Sequence, residues 1–64
     1  MSISETLVSV RKLFAEEVQA LSEHVSEGRC TSFEEYKEIT GRIRGLMQAS
    51  DLTYEAVKRM NEDD

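Results

Sequence analysis

Few side chains in this sequence have the chemistry for catalysis or metal binding. His24 and Cys30 could supply a base and a nucleophile, but the sequence places no third group to orient the histidine and no glycine-rich turn to stabilise a transition state. Glu34, Glu35 and Glu38 lie where a helix is predicted to begin, and carboxylates there normally serve the helix cap and dipole. We therefore expect no enzymatic activity, no cofactor and no metal site.

The segment Gly41-Arg-Ile-Arg-Gly45 has two superficial likenesses to functional motifs. It lacks the preceding strand and the Lys-Ser/Thr ending of a P-loop, so nucleotide binding is not expected. Its glycines have the spacing of a membrane GxxxG pair, but Arg42 and Arg44 lie between them, which excludes burial in lipid.

The same two glycines interrupt what is otherwise the pattern of one long amphipathic helix. Each interior glycine costs a helix about 1 kcal/mol relative to alanine, so the pair needs a reason. On a helical projection the glycines fall roughly opposite the main apolar stripe, on a face bare enough for another backbone to approach closely. We interpret this face as an assembly surface; an alternative is that the glycines relieve crowding within the protein's own fold. The predicted partner-binding residues are Gly41, Arg42, Arg44, Gly45, Ala49 and Leu52.

The elements that carry these residues follow from apolar spacing and capping signals. Ser2 or Ser4 can cap a first helix. Gly28 suits the left-handed residue after a helix end, and Ser32 with Glu35 forms a capping box that predicts a second helix from Phe33. Apolar residues recur every three or four positions along the first helix at Ile3, Leu7, Val10, Phe14, Val18, Leu21 and Val25.

The second helix is predicted to run to about Met60, as one helix with or without a bend near Ser50, in preference to two helices split there. Its apolar stripe comprises Phe33, Tyr36, Ile39, Thr40, Ile43, Leu46, Met47, Tyr54 and Val57. The predicted fold is all-α, an antiparallel two-helix hairpin, forming a single domain over residues 1–64 with a frayed acidic tail at 61–64. The residues expected to be most buried are Phe14, Val18, Leu21, Ile39, Ile43 and Leu46.

Composition narrows the classes of function. The 64 residues carry a formal net charge of -5, which argues against nucleic-acid binding. No signal peptide and no apolar run of about 20 residues is present, so we expect neither secretion nor a membrane span. Cys30 is the only cysteine, which fits a reducing compartment. A chain this small buries a modest core, so support from a partner or from self-association is expected.

One stretch of the second helix carries a distinctive pattern. It is a Y-x4-G-x-I-x-G-L run formed by Tyr36, Gly41, Ile43, Gly45 and Leu46, preceded by Phe33 and followed by Ala49. This pattern resembles that of small proteins encoded among the virion morphogenesis genes of tailed bacteriophages, and the resemblance covers mainly Ser32 to Ala49. It implies a non-enzymatic structural component that docks on a larger virion protein such as the portal or capsid, and a location in the virion or in the cytoplasm of the host bacterium.

Two other functions stay open. The chain could be a small regulatory protein that binds and inhibits a host or cognate enzyme, its acidic surface imitating nucleic acid on a basic partner. It could also associate only with itself, as a dimer of hairpins.

Overall fold

The computed structural model describes residues 2–62 and consists of two α-helices, α1 (Ile3–Ser26) and α2 (Phe33–Glu62), joined by the loop 27–32. Residues 2–62 contain no strand, and the two helices pack against each other along a molecule of 49 × 17 × 12 Å. The predicted all-α helical hairpin is therefore confirmed.

Serine side chains cap the starts of both helices. The Ser2 hydroxyl accepts a hydrogen bond of 3.1 Å from the backbone N–H of Glu5, and the Ser32 hydroxyl accepts one of 3.0 Å from the N–H of Glu35. Each bond satisfies one of the amide groups that have no partner in the first turn of a helix. The second helix begins at Phe33, as the capping box predicts.

The end of α1 is a Schellman motif built around Gly28. This glycine has a φ of 72°, a left-handed conformation that side chains with a Cβ rarely adopt. The Gly28 N–H donates to the Val25 carbonyl at 3.1 Å, and the Arg29 N–H donates to the His24 carbonyl at 3.2 Å. These two bonds satisfy carbonyls at the end of α1 and reverse the chain toward α2.

The second helix continues without a break through Ser50 and Asp51, so the alternative of a separate last helix is wrong. Ser50 is half-buried and serves as an acceptor from α1, not as a cap. Its carbonyl and hydroxyl oxygens lie 3.0 and 3.2 Å from Nε of Arg11. Asn61 and Glu62 belong to the helix, whereas the rest of the predicted acidic tail, Asp63 and Asp64, lies outside the described residues.

The contact between the two helices, which we call the seam, is narrow. Ile39 is 8% exposed, and within residues 2–62 it is the one buried side chain. The other five residues predicted to be central are half-buried: Phe14, Val18, Leu21, Ile43 and Leu46. The hairpin therefore holds together by many half-covered side chains and not by an enclosed core.

Parts of both predicted apolar stripes lie outside this seam. Five of their members are exposed, Ile3 in α1 and the following four in α2: Phe33, Tyr36, Met47 and Tyr54. The stripe of α2 is too wide for one neighbouring helix to cover, and its aromatic members lie along one edge. Glu35, Ser50 and Thr53 are half-buried at positions that the apolar pattern assigns to no stripe.

Neither helix, within the part of the chain described, is both long and apolar enough to cross a membrane.

Candidate functional site

The glycine face of α2 is open. Gly41 and Gly45 are exposed and have ordinary helical backbone. A Cβ built at either position meets no atom within 4 Å beyond the glycine's own stretch of helix. The glycines therefore do not relieve crowding inside the hairpin, and that alternative is wrong for the isolated chain.

The other predicted partner-binding residues lie on or beside this face. Leu52, two helical turns after Gly45, is 71% exposed. Ala49 is half-buried at the border between the face and the seam. We use the name glycine face for the side of α2 formed by Gly41, Gly45, Ala49 and Leu52.

The two arginines flank the glycine face on different sides. Arg42 lies on the side toward α1, where its Nη2 is 4.0 Å from Oε1 of Glu17, and both side chains are more than half exposed. Arg44 is exposed and, because it is two residues further along the helix, points away from Arg42. The exposed contact between Arg42 and Glu17 is weak, so that guanidinium can pair with other carboxylates.

A groove lies between the helices beside the glycine face, with a volume of about 400 Å³. Its walls combine apolar side chains at the bottom with charged groups at the edge. The lining residues are Ala20, Leu21, His24, Glu35, Glu38, Ile39 and Arg42.

The aromatic edge of α2 consists of Phe33, Tyr36 and Tyr54. It differs from the glycine face because positively charged side chains of the same chain lie over two of its rings. The guanidinium of Arg11 lies 5.0 Å from the ring centroid of Tyr54, and Nζ of Lys37 lies 5.7 Å from that of Phe33. Phe33 also stacks on Tyr36 with ring centroids 6.2 Å apart. These cation–π and stacking contacts give the aromatic residues partners within the chain.

The hairpin turn holds a polar cluster centred on Glu35. Its Oε2 accepts hydrogen bonds from the Thr31 backbone N–H at 3.0 Å and from the Thr31 hydroxyl at 2.6 Å. Its Oε1 lies 3.1 Å from Nε2 of His24. In an ordinary capping box the carboxylate of Glu35 would accept a hydrogen bond from the N–H of Ser32. Here it accepts from Thr31 instead.

These contacts change the acidity of the carboxyl. The hydrogen bonds from the Thr31 hydroxyl and N–H, followed by that from His24, lower the pKa of Glu35 to about 2. Each of these donors favours the ionised form of the carboxylate.

The turn also corrects the prediction that no third group could orient His24. Glu35 is that group, and Cys30 lies beside both: one ligand atom from each of the three residues lies within 4.8 Å of the other two. Among the described residues Nε2 of His24 pairs with Glu35, and no hydrogen bond joins the Cys30 thiol to His24.

Sequence reasoning missed this cluster because it joins the end of one helix to the start of the next. His24 and Glu35 are 11 residues apart, and only closure of the hairpin brings them together. The signals that could have found it are the Schellman glycine and the capping box, which together predict a short loop between the two helix ends.

Comparisons with protein families, with curated proteins and with solved structures found no match to this chain.

Proposed function

We propose that this chain is a non-enzymatic structural protein that docks as a helical hairpin on a larger protein. The larger protein is a component of a tailed-phage particle such as the portal or the capsid. The observation that carries the docking is the glycine face, on which two costly glycines are exposed and contact nothing in the hairpin.

The narrow seam between the helices indicates that the hairpin gains stability from contacts with another molecule. A chain of this size gains little from its own core, and among residues 2–62 Ile39, at 8% exposed, is the one buried side chain. Docking would cover apolar surface that the hairpin leaves in water, with Leu52 as the largest such side chain on the glycine face.

The chemistry of the face indicates what it would bind. The absence of side chains at Gly41 and Gly45 lets a helix or extended segment of the partner come close to the backbone of α2. Leu52 would fill an apolar depression, and Arg42 and Arg44 would pair with carboxylates at the two borders. The expected partner surface is therefore a small-residue ridge with acidic residues on both sides.

The phage particle enters the proposal through the resemblance over Ser32 to Ala49. A component of a particle occurs in many identical copies set by the symmetry of its partner. This expectation separates the proposal from its rivals, because an enzyme inhibitor would be absent from particles and a self-associating hairpin would need no partner.

Quantitative mass spectrometry of purified particles of the phage that encodes the chain tests the proposal. We expect the chain at a fixed ratio to the portal or capsid protein, and light scattering should find the isolated chain without a stable dimer. Absence from the particles would contradict the proposal. A dimer that forms through the glycine face in the isolated chain would also contradict it.

A further inference from the structure

We propose that His24, Cys30 and Glu35 form a binding site for a zinc-like divalent cation at the hairpin turn, with three protein ligands and an open fourth position. This site is separate from the glycine face and does not depend on the proposed docking.

The donor set selects the class of ion. An imidazole nitrogen, a thiolate sulfur and a carboxylate oxygen are the three ligand types that Zn²⁺ takes in proteins. Calcium and magnesium take oxygen ligands, so a site with sulfur and nitrogen discriminates against them. Three protein ligands with a free fourth position is a common arrangement for zinc, with water or a partner's side chain completing the tetrahedron.

The distances lie close to those of a formed site. Zinc bonds of about 2.0–2.3 Å in a tetrahedron place neighbouring ligand atoms about 3.3–3.8 Å apart. His24 Nε2 and Glu35 Oε1 are 3.1 Å apart, and all three ligand atoms lie within 4.8 Å of one another. Bringing a separation of 4.8 Å to about 3.3–3.8 Å takes a shift of about 1.0–1.5 Å at most. Cys30 lies in the loop 27–32, outside both helices, so a shift of its thiol does not require either helix to move.

The surrounding hydrogen bonds hold two of the ligands in place. Thr31 binds Oε2 of Glu35 with both its N–H and its hydroxyl, which leaves Oε1 directed toward His24. The carbonyl of His24 accepts the Arg29 N–H in the Schellman motif, so the backbone at that ligand is fixed as well. Groups that orient metal ligands in this way commonly raise affinity.

The contact between His24 and Glu35 could serve only to link the end of α1 to the start of α2. That interpretation leaves out Cys30, which is half-buried beside the pair and whose thiol makes no hydrogen bond in the described residues. A bound cation engages all three groups and links the end of α1, the loop and the start of α2. It would therefore raise the thermal stability of the hairpin, because only the folded chain brings the ligands together.

Titration of the full chain with Zn²⁺ and with Co²⁺, in a non-thiol reductant, tests the site. We expect one ion per chain, a rise in the thermal midpoint with Zn²⁺ that Mg²⁺ does not produce, and a thiolate-to-cobalt charge-transfer band in the near ultraviolet. A cobalt complex without that band would overturn the proposal, as would a thermal midpoint that Zn²⁺ leaves unchanged.

The deciding variant is Cys30→Ser, because the cysteine lies outside both helices and the change leaves the hydrogen bonds of Glu35 intact. It should weaken Zn²⁺ binding at least about tenfold, as removal of a direct ligand exceeds the effect of an outer partner, and should abolish the cobalt band. Glu34→Gln, at the neighbouring carboxylate of the same helix turn, is the matched control and should bind Zn²⁺ as the parent chain does. Equal affinity of the parent chain and Cys30→Ser would refute the site.

Discussion

The hairpin turn and the glycine face each contain glycine, but they use it in opposite ways. At the turn, Gly28 adopts a left-handed φ of 72° and its N–H bonds to the end of α1. On the face, Gly41 and Gly45 have helical backbone and open space where a side chain would be. The first glycine is required by the fold of the chain, whereas nothing within the hairpin requires the other two.

This difference separates a region that closes the fold of the chain from a region that is free to contact another protein. The polar groups of the turn satisfy one another across Thr31, Glu35 and His24. Gly41 and Gly45 lower the stability of the isolated hairpin relative to alanine, and no contact within the hairpin offsets that loss. A region of that kind is the natural place to look for a contact with another molecule.

The largest expected effect concerns the seam that both regions depend on. Ile39→Ala should lower the free energy of unfolding by about 2–4 kcal/mol, because it removes methyl groups from the most covered position. Phe33→Ala, at a side chain that is 72% exposed, should change it by about 0.5 kcal/mol or less. Urea denaturation followed by circular dichroism measures both, and equal losses would mean that the aromatic edge belongs to the packed interface.

The next effect tests the glycine of the turn. Gly28→Ala should destabilise the hairpin by about 1–2 kcal/mol, because the Cβ of alanine disfavours the left-handed backbone conformation at this position. The neighbouring Arg29→Ala, with no positive φ to satisfy, serves as the control in the same denaturation experiment. A neutral result for Gly28→Ala would show that the Schellman motif does not close the turn.

The same substitution on the glycine face should have the opposite sign. Gly45→Ala should stabilise the isolated hairpin by up to about 1 kcal/mol, because alanine favours the helix and its methyl meets no atom within 4 Å. A rise in the thermal midpoint measures this effect. Destabilisation by Gly45→Ala would place the glycine against another part of the chain.

The smallest effect is a titration at the turn. Hydrogen bonds from Thr31, and then from His24, depress the pKa of Glu35 to about 2, so Thr31→Val should raise it toward the ordinary value of 4.5. Because the folded-state pKa is lowered, the stability that Glu35 contributes is present above pH 4.5 and is lost as the pH falls toward 2. Carboxyl chemical shifts measured by NMR across this range report the pKa directly, and an identical pKa in Thr31→Val would remove the assigned cause.

Local signals in the sequence predicted the elements well. The helix start at Phe33 and the reversal at Gly28 follow from short-range backbone chemistry that a few residues determine. The continuity of α2 through Ser50 follows from a different signal, the stripe shared by residues on both sides of it, and it is confirmed.

The width of the packed seam and the cluster at the turn depend on tertiary arrangement. An apolar stripe indicates which side of a helix avoids water but not how much of it one neighbour can cover, so the pattern alone does not predict that Tyr36 and Tyr54, both members of the stripe, stay exposed. The meeting of His24 and Glu35 needs the exact closure of the loop, which residue types alone do not give.

The most direct test of the account is incorporation of Gly45→Leu into the particle. Leucine should leave the isolated hairpin folded, with helicity equal to or above that of the parent, while it blocks the approach of a partner backbone. Ser22→Leu, at an exposed position of α1 outside the glycine face, is the matched control and should incorporate normally. The account predicts that Gly45→Leu is folded but missing from purified particles; a folded Gly45→Leu chain present at the parent's copy number would contradict it.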